Sequence, residues 1–392
     1  MKKSIFLALP VLFGYFVMGF CDMVGITSDY VQESFHWSPA MTGLVPSMVF
    51  IWFLFLGIPI GNKMNQWGRK RTVLLSMVVT IIGMFLPLIS YNSITCMLAY
   101  ALLGIGNAIL QVSLNPLLSN VITNERLLTS SFTAGQLIKA ISSLAGPEVV
   151  LFAVGFWGYD KWYYCFPLLG LVTILSALWL TLTPVPKEKI DSESVQYVSF
   201  GETLSLLKDS TILRLFLGIV CVVGVDIATN FISSKFMAER FSWTLEQVKV
   251  APQTYFIGRT LGTLLGVFLL ARIAEIKYFR VSIVVCFAAL IALLFASSAE
   301  YALACIFLTG LAASSIFSII YSMALQRRSD RANQISGLMI TGIAGGAVVS
   351  PIIGLANGWV GINGGVVVTL LCAAYLIYCA FGISMKKSNS IN

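Results

Sequence analysis

Apolar residues in this chain neither alternate as in a strand nor recur every third or fourth position as on a half-buried helix. They come in unbroken runs of about 20 or more, the length a helix needs to cross a hydrocarbon layer of about 30 Å. Six runs fill the first half, at 4–27, 40–61, 72–91, 94–122, 131–155 and 163–184. Six more fill the second, at 211–236, 248–272, 279–298, 300–325, 334–357 and 363–385. The pattern predicts an all-α membrane protein with twelve transmembrane helices. The first run follows Lys2-Lys3. It is too long for the apolar core of a secretory signal and no small-residue cleavage site follows it, so it is read as the first span.

Composition agrees. Hydrophobic residues make up 58% of the chain and charged residues only 11%, where a soluble protein carries about a quarter charged. The charges that remain set an orientation. With both termini cytoplasmic, nineteen of the 25 lysines and arginines fall on the inner face, among them Lys63, Arg69, Lys70, Arg71, Arg272, Lys277, Arg280, Arg327 and Arg328. The outer face keeps only Lys161, Lys235, Arg240 and Lys249. That asymmetry is the positive-inside bias of a bacterial-type inner membrane protein. Because the basic residues cluster at helix ends, the net charge of +8 points to membrane lipid and not to nucleic acid. Trp37 and Trp162-Tyr163-Tyr164 fall at outer boundaries, where amphipathic rings prefer to lie. The eight cysteines sit singly inside apolar runs and the one histidine, His36, in a short loop. No disulfide framework, metal site or cofactor is expected, and no oligomer beyond a monomer.

The chain is duplicated. Displaced by about 205 positions, Asp22 meets Asp226, Phe35-His36-Trp37-Ser38 meets Phe241-Ser242-Trp243-Thr244, and Pro46 meets Pro252. Asn124-Glu125-Arg126 meets Ser329-Asp330-Arg331, and Pro147 meets Pro351. Five landmarks in order at a nearly constant offset divide the chain into two pseudo-symmetric six-helix bundles, 1–184 and 211–392. A cytoplasmic linker, 185–210, joins them and carries a short surface helix near 200–207. Paired bundles around a midplane site are the architecture of alternating access, which favours a transporter over an enzyme.

Five ionisable residues fall inside the apolar runs: Asp22, Lys139, Glu148, Asp226 and Arg259. Unpaired in lipid they would cost roughly 15 kcal/mol together, as much as the whole net stability of a folded domain. They are therefore expected to face water or one another. Asp22 shares a helix face with Tyr15, and its repeat partner Asp226 has Asn230 one turn on. The two acids read as one proton carrier and one ligand for a sugar or a cation. Asn107, Gln111 and Asn115 recur at four-residue spacing on the fourth span. Amides donate and accept, which suits either a polyhydroxylated ligand or bonding between helices. Gln136 and Lys139 lie one turn apart on the fifth span, where Lys139 can neutralise Asp22 or Glu148 or bind an anionic substrate. Glu148, nearer the outer end, reads as a coupling, rim or packing residue. Arg259 lies beside the small-residue ridge Gly258, Gly262 and Gly266, and Asp226 is its first candidate partner.

After the second span the chain reads Gly61-Asn62-Lys63-Met64-Asn65-Gln66-Trp67-Gly68-Arg69-Lys70-Arg71. This resembles the G-x-x-x-D-x-x-G-R-K/R signature of the major facilitator superfamily, with Asn65 where the signature has aspartate. In that family the acid and the arginines form a charge cluster that locks one state, so the resemblance makes Gly61, Asn65, Gly68, Arg69 and Lys70 a gating loop. Further motifs run in order: Leu110-Gln111-Val112-Ser113-Leu114-Asn115-Pro116, Gly224-Val225-Asp226, Ile257-Gly258-Arg259, Ser336-Gly337-Leu338 and Gly345-Gly346-Ala347. Together they resemble the fucose:proton symporter family over most of the chain. The resemblance implies proton-driven uptake of a monosaccharide, with Asp22 at the family's first-helix acid and Gln136 at its fifth-helix sugar-binding amide. Two positions depart from it. Gln111, which cannot titrate, stands where the fucose transporter has a protonatable glutamate, and Lys139 stands where it has asparagine.

The expected function is secondary active transport, a proton-coupled symport of a sugar or sugar derivative. Asp22 or Asp226 would carry the proton, and protonation would remove charge before the loaded carrier reorients. An anionic sugar or organic acid carrier using Lys139 and Arg259 is the alternative. Drug efflux is a third, although Ala145-Gly146-Pro147-Glu148 keeps only a fragment of the glycine-rich fifth-helix motif of that family.

Overall fold

The computed structural model describes residues 2–37, 41, 44–122, 124–186, 198–244 and 247–382. The described residues form helices and the turns that join them. In the first half these are α1 (Lys2–Met18), α2 (Val24–Phe35), α3 (Leu44–Phe50), α4 (Trp52–Trp67), α5 (Arg69–Ile89), α6 (Ser93–Val121), α7 (Glu125–Trp157) and α8 (Cys165–Leu182). A short α9 (Phe200–Ser205) follows, where the surface helix was expected; positions 187–197 of the linker lie outside the described residues. The second half holds α10 (Ser210–Phe241), α11 (Val250–Leu270), α12 (Glu275–Leu294), α13 (Ala299–Ala313), α14 (Ile316–Arg327), α15 (Ala332–Thr341), α16 (Gly345–Val360) and α17 (Asn363–Gly382). Each of the twelve apolar runs is helical over most of its described residues. Among the described residues, ten helical segments are long and apolar enough to cross a membrane.

Four runs are not single helices; the second breaks at Ile51 between α3 and α4, and the tenth at Ser314-Ser315 between α13 and α14. The first is interrupted by a 3-10 turn, Gly19–Met23, that contains Asp22. Gly19 marks a close crossing: a Cβ there would stand 2.6 Å from Cβ of Ser142 and 2.7 Å from the carbonyl of Lys139 on α7. The bare backbone lets the two helices touch, which carries Asp22 to Lys139. The eleventh run breaks at Gly342–Ala344 into α15 and α16. The sequence Gly342-Ile343-Ala344-Gly345-Gly346 has little helix propensity to resist the break.

By their contacts the described residues form two compact units, and neither is contiguous in sequence. The first comprises Met1–Thr123, Gly135–Thr203 and Arg331–Thr341; the second comprises Asn124–Ala134, Leu204–Asp330 and Gly342–Asn392. In the first unit α5 lies along α6, and α15 lies along α4. In the second, α11 lies along α13 and α17 packs against both α10 and α12. Hydroxyls inside the helices return to their own backbone, as Ser113 does to the Ile109 carbonyl (2.8 Å) and Thr229 to Val225 (2.7 Å). That satisfies them without water.

The duplication is visible in the backbone. Among the described residues, His36 and Ser242 are the two non-glycine residues at positive φ, 49° and 55°. Each caps the C-terminus of a helix in the left-handed region, and they occupy equivalent places in the two repeats. Trp37 and Trp162 pack inside the protein. Trp162 is fully buried and donates to Ser34 Oγ at 3.0 Å, while Trp37 donates to Ser93 Oγ at 3.1 Å. Each ring finds an internal acceptor for its one N–H.

Candidate functional site

In the first unit the 3-10 turn presents Asp22 to α7. Lys139 Nζ stands 3.6 Å from Asp22 Oδ2, and Ser143, one turn beyond Lys139, donates to the same oxygen at 2.6 Å. The Cys21 thiol donates to Oδ1 at 3.3 Å. The side chains of Lys139 and Asp22 are 19% and 34% exposed, so the pair is only partly removed from water. Asn107 of α6 lies beside the Cys21 thiol. It is buried, and neither its amide nitrogen nor its amide oxygen has a hydrogen-bond partner of normal geometry among the described residues. Gln111 and Asn115 continue that face and are also buried. Tyr15, fully buried, donates to the Asn115 amide oxygen. Gln136 is half-buried on α7, and Glu148 is exposed in the C-terminal half of that helix.

In the second unit Asp226 of α10 and Arg259 of α11 meet. Arg259 Nη1 lies 3.0 Å from Asp226 Oδ2, with side chains 35% and 31% exposed. The other carboxylate oxygen accepts from the Tyr255 hydroxyl at 2.5 Å. Asn230, half-buried, follows Asp226 by one turn of α10. The two acids related by duplication are thus both paired with a cation of their own unit. The cations are not related: Lys139 belongs to the fifth span and Arg259 to the eighth. Pairing offsets part of the roughly 3 kcal/mol that an isolated charge costs in a spanning helix.

The loop 61–71, which resembles the family signature, lies in the first unit. Gly68 turns the chain between α4 and α5 with φ of 81°, open to glycine without strain. Arg69 donates through Nε to Asn333 Oδ1 at 2.8 Å and through Nη1 to the Pro116 carbonyl at 3.0 Å and to Asn120. Asn333 Nδ2 donates in turn to Asn65 Oδ1 at 2.8 Å. The contact is a chain of neutral amides ending on one guanidinium, where the family signature would supply a carboxylate. Gly61 lets α15 close in, since a Cβ there would stand 2.7 Å from the Asn333 carbonyl and 3.0 Å from Gly337 Cα. Lys70 closes the end of α8, donating to the carbonyls of Thr181 and Thr183 at 3.0 and 2.8 Å.

Sequence reasoning missed Ser143, Tyr255, Asn120 and Asn333. Ser143 and Tyr255 sit four residues from Lys139 and Arg259, so helical spacing offered a signal. Nothing local points to Asn333, whose partners lie more than 260 positions away. A further polar cluster also went unread. Thr129 donates to the Glu275 carboxylate and lies 2.6 Å from Ser322 Oγ, and Gln326 donates to Ser322 at 2.9 Å. These residues bind the first turns of α7 into the second unit, as Asn333 binds α15 into the first.

The Major Facilitator Superfamily model matches residues 11–351, nearly the whole chain. The chain belongs to the major facilitator superfamily. It is therefore a multi-pass membrane transporter and not an enzyme, and its all-helical fold is that of the superfamily. Among curated relatives, the glucose/galactose transporter of Brucella abortus biovar 1 (strain 9-941) is 24% identical over 392 residues, covering 95% of this chain and 92% of that protein. A putative glucose/galactose transporter of Helicobacter pylori (strain ATCC 700392 / 26695) is 24% identical over 419 residues, covering 99% of this chain and all of that one. Among solved structures, the transporter FucP in its outward conformation superposes with a TM-score of 0.85 at 16% identity, covering 96% of this chain and 98% of that one. The proton:xylose symporter XylE superposes with a TM-score of 0.77 at 12% identity, covering 97% and 95%.

Proposed function

We propose that this facilitator takes up a monosaccharide together with a proton by alternating access, from a bacterial-type inner membrane with both termini cytoplasmic. The sugar class follows from full-length similarity to two proteins named as glucose/galactose transporters. The observation that carries the coupling is the setting of Asp22. Its cation stands back at 3.6 Å, a neutral hydroxyl, that of Ser143, donates to it at 2.6 Å, and its side chain is 34% exposed. Such a carboxylate can exchange a proton without dismantling a tight ion pair.

Lys139 changes the expected electrostatics. Protonating Asp22 does not neutralise the cluster; it leaves the ammonium of Lys139 without its counter-charge. Sugar hydroxyl oxygens can then accept from Lys139. Proton and sugar would each favour the other's binding through competition for one lysine, as reciprocal linkage requires. In this reading Asn107, Gln111, Asn115, Gln136 and Asn230 contact sugar hydroxyls, Tyr15 orients Asn115, and Glu148 serves the outer rim. The gating loop holds one of the two states. The halves 1–184 and 211–392 exchange partners around the linker 185–210 during reorientation.

Purified protein in vesicles, offered a panel of labelled monosaccharides with and without an imposed pH gradient, tests this. Accumulation of one or more aldohexoses that collapses with the gradient is expected. Uptake confined to uronic or aldonic acids, lost in Lys139→Asn, would replace it with the anionic-substrate reading. Both cations already being paired with aspartate favours the neutral sugar.

A further inference from the structure

We infer that Tyr255 is a positioning residue of this carrier, its buried hydroxyl fixing the Asp226 carboxylate so that Arg259 is held ready for the substrate. The word substrate rests on the transport reading above; the contact itself does not.

Tyr255 lies one turn before Arg259 on α11, so both side chains leave the same face. The ring is 1% exposed and packs in a cluster with Ala228 and Ile232 of α10 and Ile306 of α13. Its hydroxyl donates to Asp226 Oδ1 at 2.5 Å while Arg259 Nη1 lies 3.0 Å from Oδ2. Each carboxylate oxygen thus has its own charge-assisted donor. The group is clamped from two sides, by a rigid ring inside the unit and by a half-exposed guanidinium at its edge. The backbone of this turn is itself wedged. A Cβ at Gly310 of α13 would stand 3.1 Å from Arg259 N and 3.1 Å from Tyr255 Cδ2, so α11 is seated on α13 at the residues in question.

A carboxylate held by one long cation can swing about its own side-chain torsion and take the cation with it. A second donor from a locked ring removes that freedom, so the arginine need not be ordered when a ligand arrives. The charged or titratable groups facing this contact are Asp226, Arg259 and, from α12, Cys286. The repeat-related acid is treated differently. Asp22 has the Ser143 hydroxyl at 2.6 Å, the Cys21 thiol at 3.3 Å and a cation at 3.6 Å. One acid has its cation at 3.0 Å and the other at 3.6 Å.

The test is Tyr255→Phe, which keeps the ring and removes the hydroxyl. The apparent KM for the transported sugar should rise roughly tenfold, the size of a lost hydrogen bond to a charged group, while the maximal exchange rate stays within about twofold. In an Asp226→Asn background the same substitution should change KM little. An equal change in both backgrounds would assign Tyr255 to packing alone and overturn the inference. A second readout needs no sugar. The infrared carboxylate band of Asp226, isolated by subtracting the spectrum of Asp226→Asn, should move in Tyr255→Phe; an unmoved band overturns the inference as well. If Tyr255→Phe does not fold, 3-fluorotyrosine at 255 keeps the packing and strengthens the donor, and should move the band the opposite way. A wild type that transports no sugar would defeat the transport reading, and the infrared band would still decide the contact.

Discussion

Lys139 Nζ stands 3.6 Å from Asp22 Oδ2, near enough to balance its charge and beyond the reach of an ordinary hydrogen bond. Asp22→Asn keeps the size of the side chain and removes both the negative charge and the titration. Proton-driven accumulation should be abolished, with counterflow exchange of the same sugar retained. Transport assays in vesicles, with and without a pH gradient, separate the two. Accumulation in the variant at the wild-type level would remove Asp22 from the coupling mechanism.

The amide chain at Asn65 offers an opposite kind of change. Asn65 accepts from Asn333 Nδ2 at 2.8 Å, and Asn333 accepts from Arg69. Asn65→Asp restores the acid of the family signature and turns a neutral bond into a charge-assisted one, stronger by about 1 kcal/mol. The state these contacts hold becomes more populated. The thermal midpoint in detergent should rise and turnover should fall by roughly fivefold, the factor that such an energy carries. Asn333→Ala should lower the midpoint. If Asn65→Asp leaves both rate and midpoint where they were, this contact does not govern reorientation.

Close packing of α4 on α15 gives a third test. Gly61→Ala places a methyl 2.7 Å from the Asn333 carbonyl and 3.0 Å from Gly337 Cα, and both are backbone. No side chain can rotate away, so stability should fall by about 1–3 kcal/mol. Gly155 on α7 has nothing within 4 Å of a built Cβ. Gly155→Ala should be neutral or stabilising, by about 0.5–1 kcal/mol. Unfolding midpoints of the two variants, measured side by side, check the contrast.

Asp209 links a helix cap to an ion pair outside the membrane-spanning segments. Its Oδ1 accepts from Thr211 N at 2.8 Å at the start of α10, and Arg327 Nε lies 3.2 Å from Oδ2. Partial burial pushes its carboxyl up, but the Thr211 N–H and Arg327 together outweigh this and hold it below the usual aspartate value. A depressed folded value means the stabilisation is complete above the unfolded aspartate value and disappears as pH falls through the folded one. Thermal midpoints should drop below about pH 4 more steeply in the wild type than in Asp209→Asn. At neutral pH Asp209→Ala should cost about 1 kcal/mol as a lost cap. Parallel acid limbs for wild type and Asp209→Asn would show that another group controls the decline.

The sequence by itself determined the medium, the helices and the repeat. Hydropathy sums along the chain, so twelve apolar runs need no tertiary information to be read. The acids Asp22 and Asp226 were legible for the same reason, since a charge inside an apolar run stands out wherever the chain later folds, and the loop 61–71 was legible through its resemblance to the family signature. Tertiary structure decided which cation meets which acid, how tightly, and with what third partner. Lys139 could have served Glu148 as well as Asp22, and only the bare crossing at Gly19 brings α7 to the 3-10 turn. Asn333 meets Asn65 because α15 leaves its neighbours in sequence for the first unit, a choice set by packing among glycines far apart in the chain. Contacts of that range arise from how whole helices fit, and no local pattern encodes the fit.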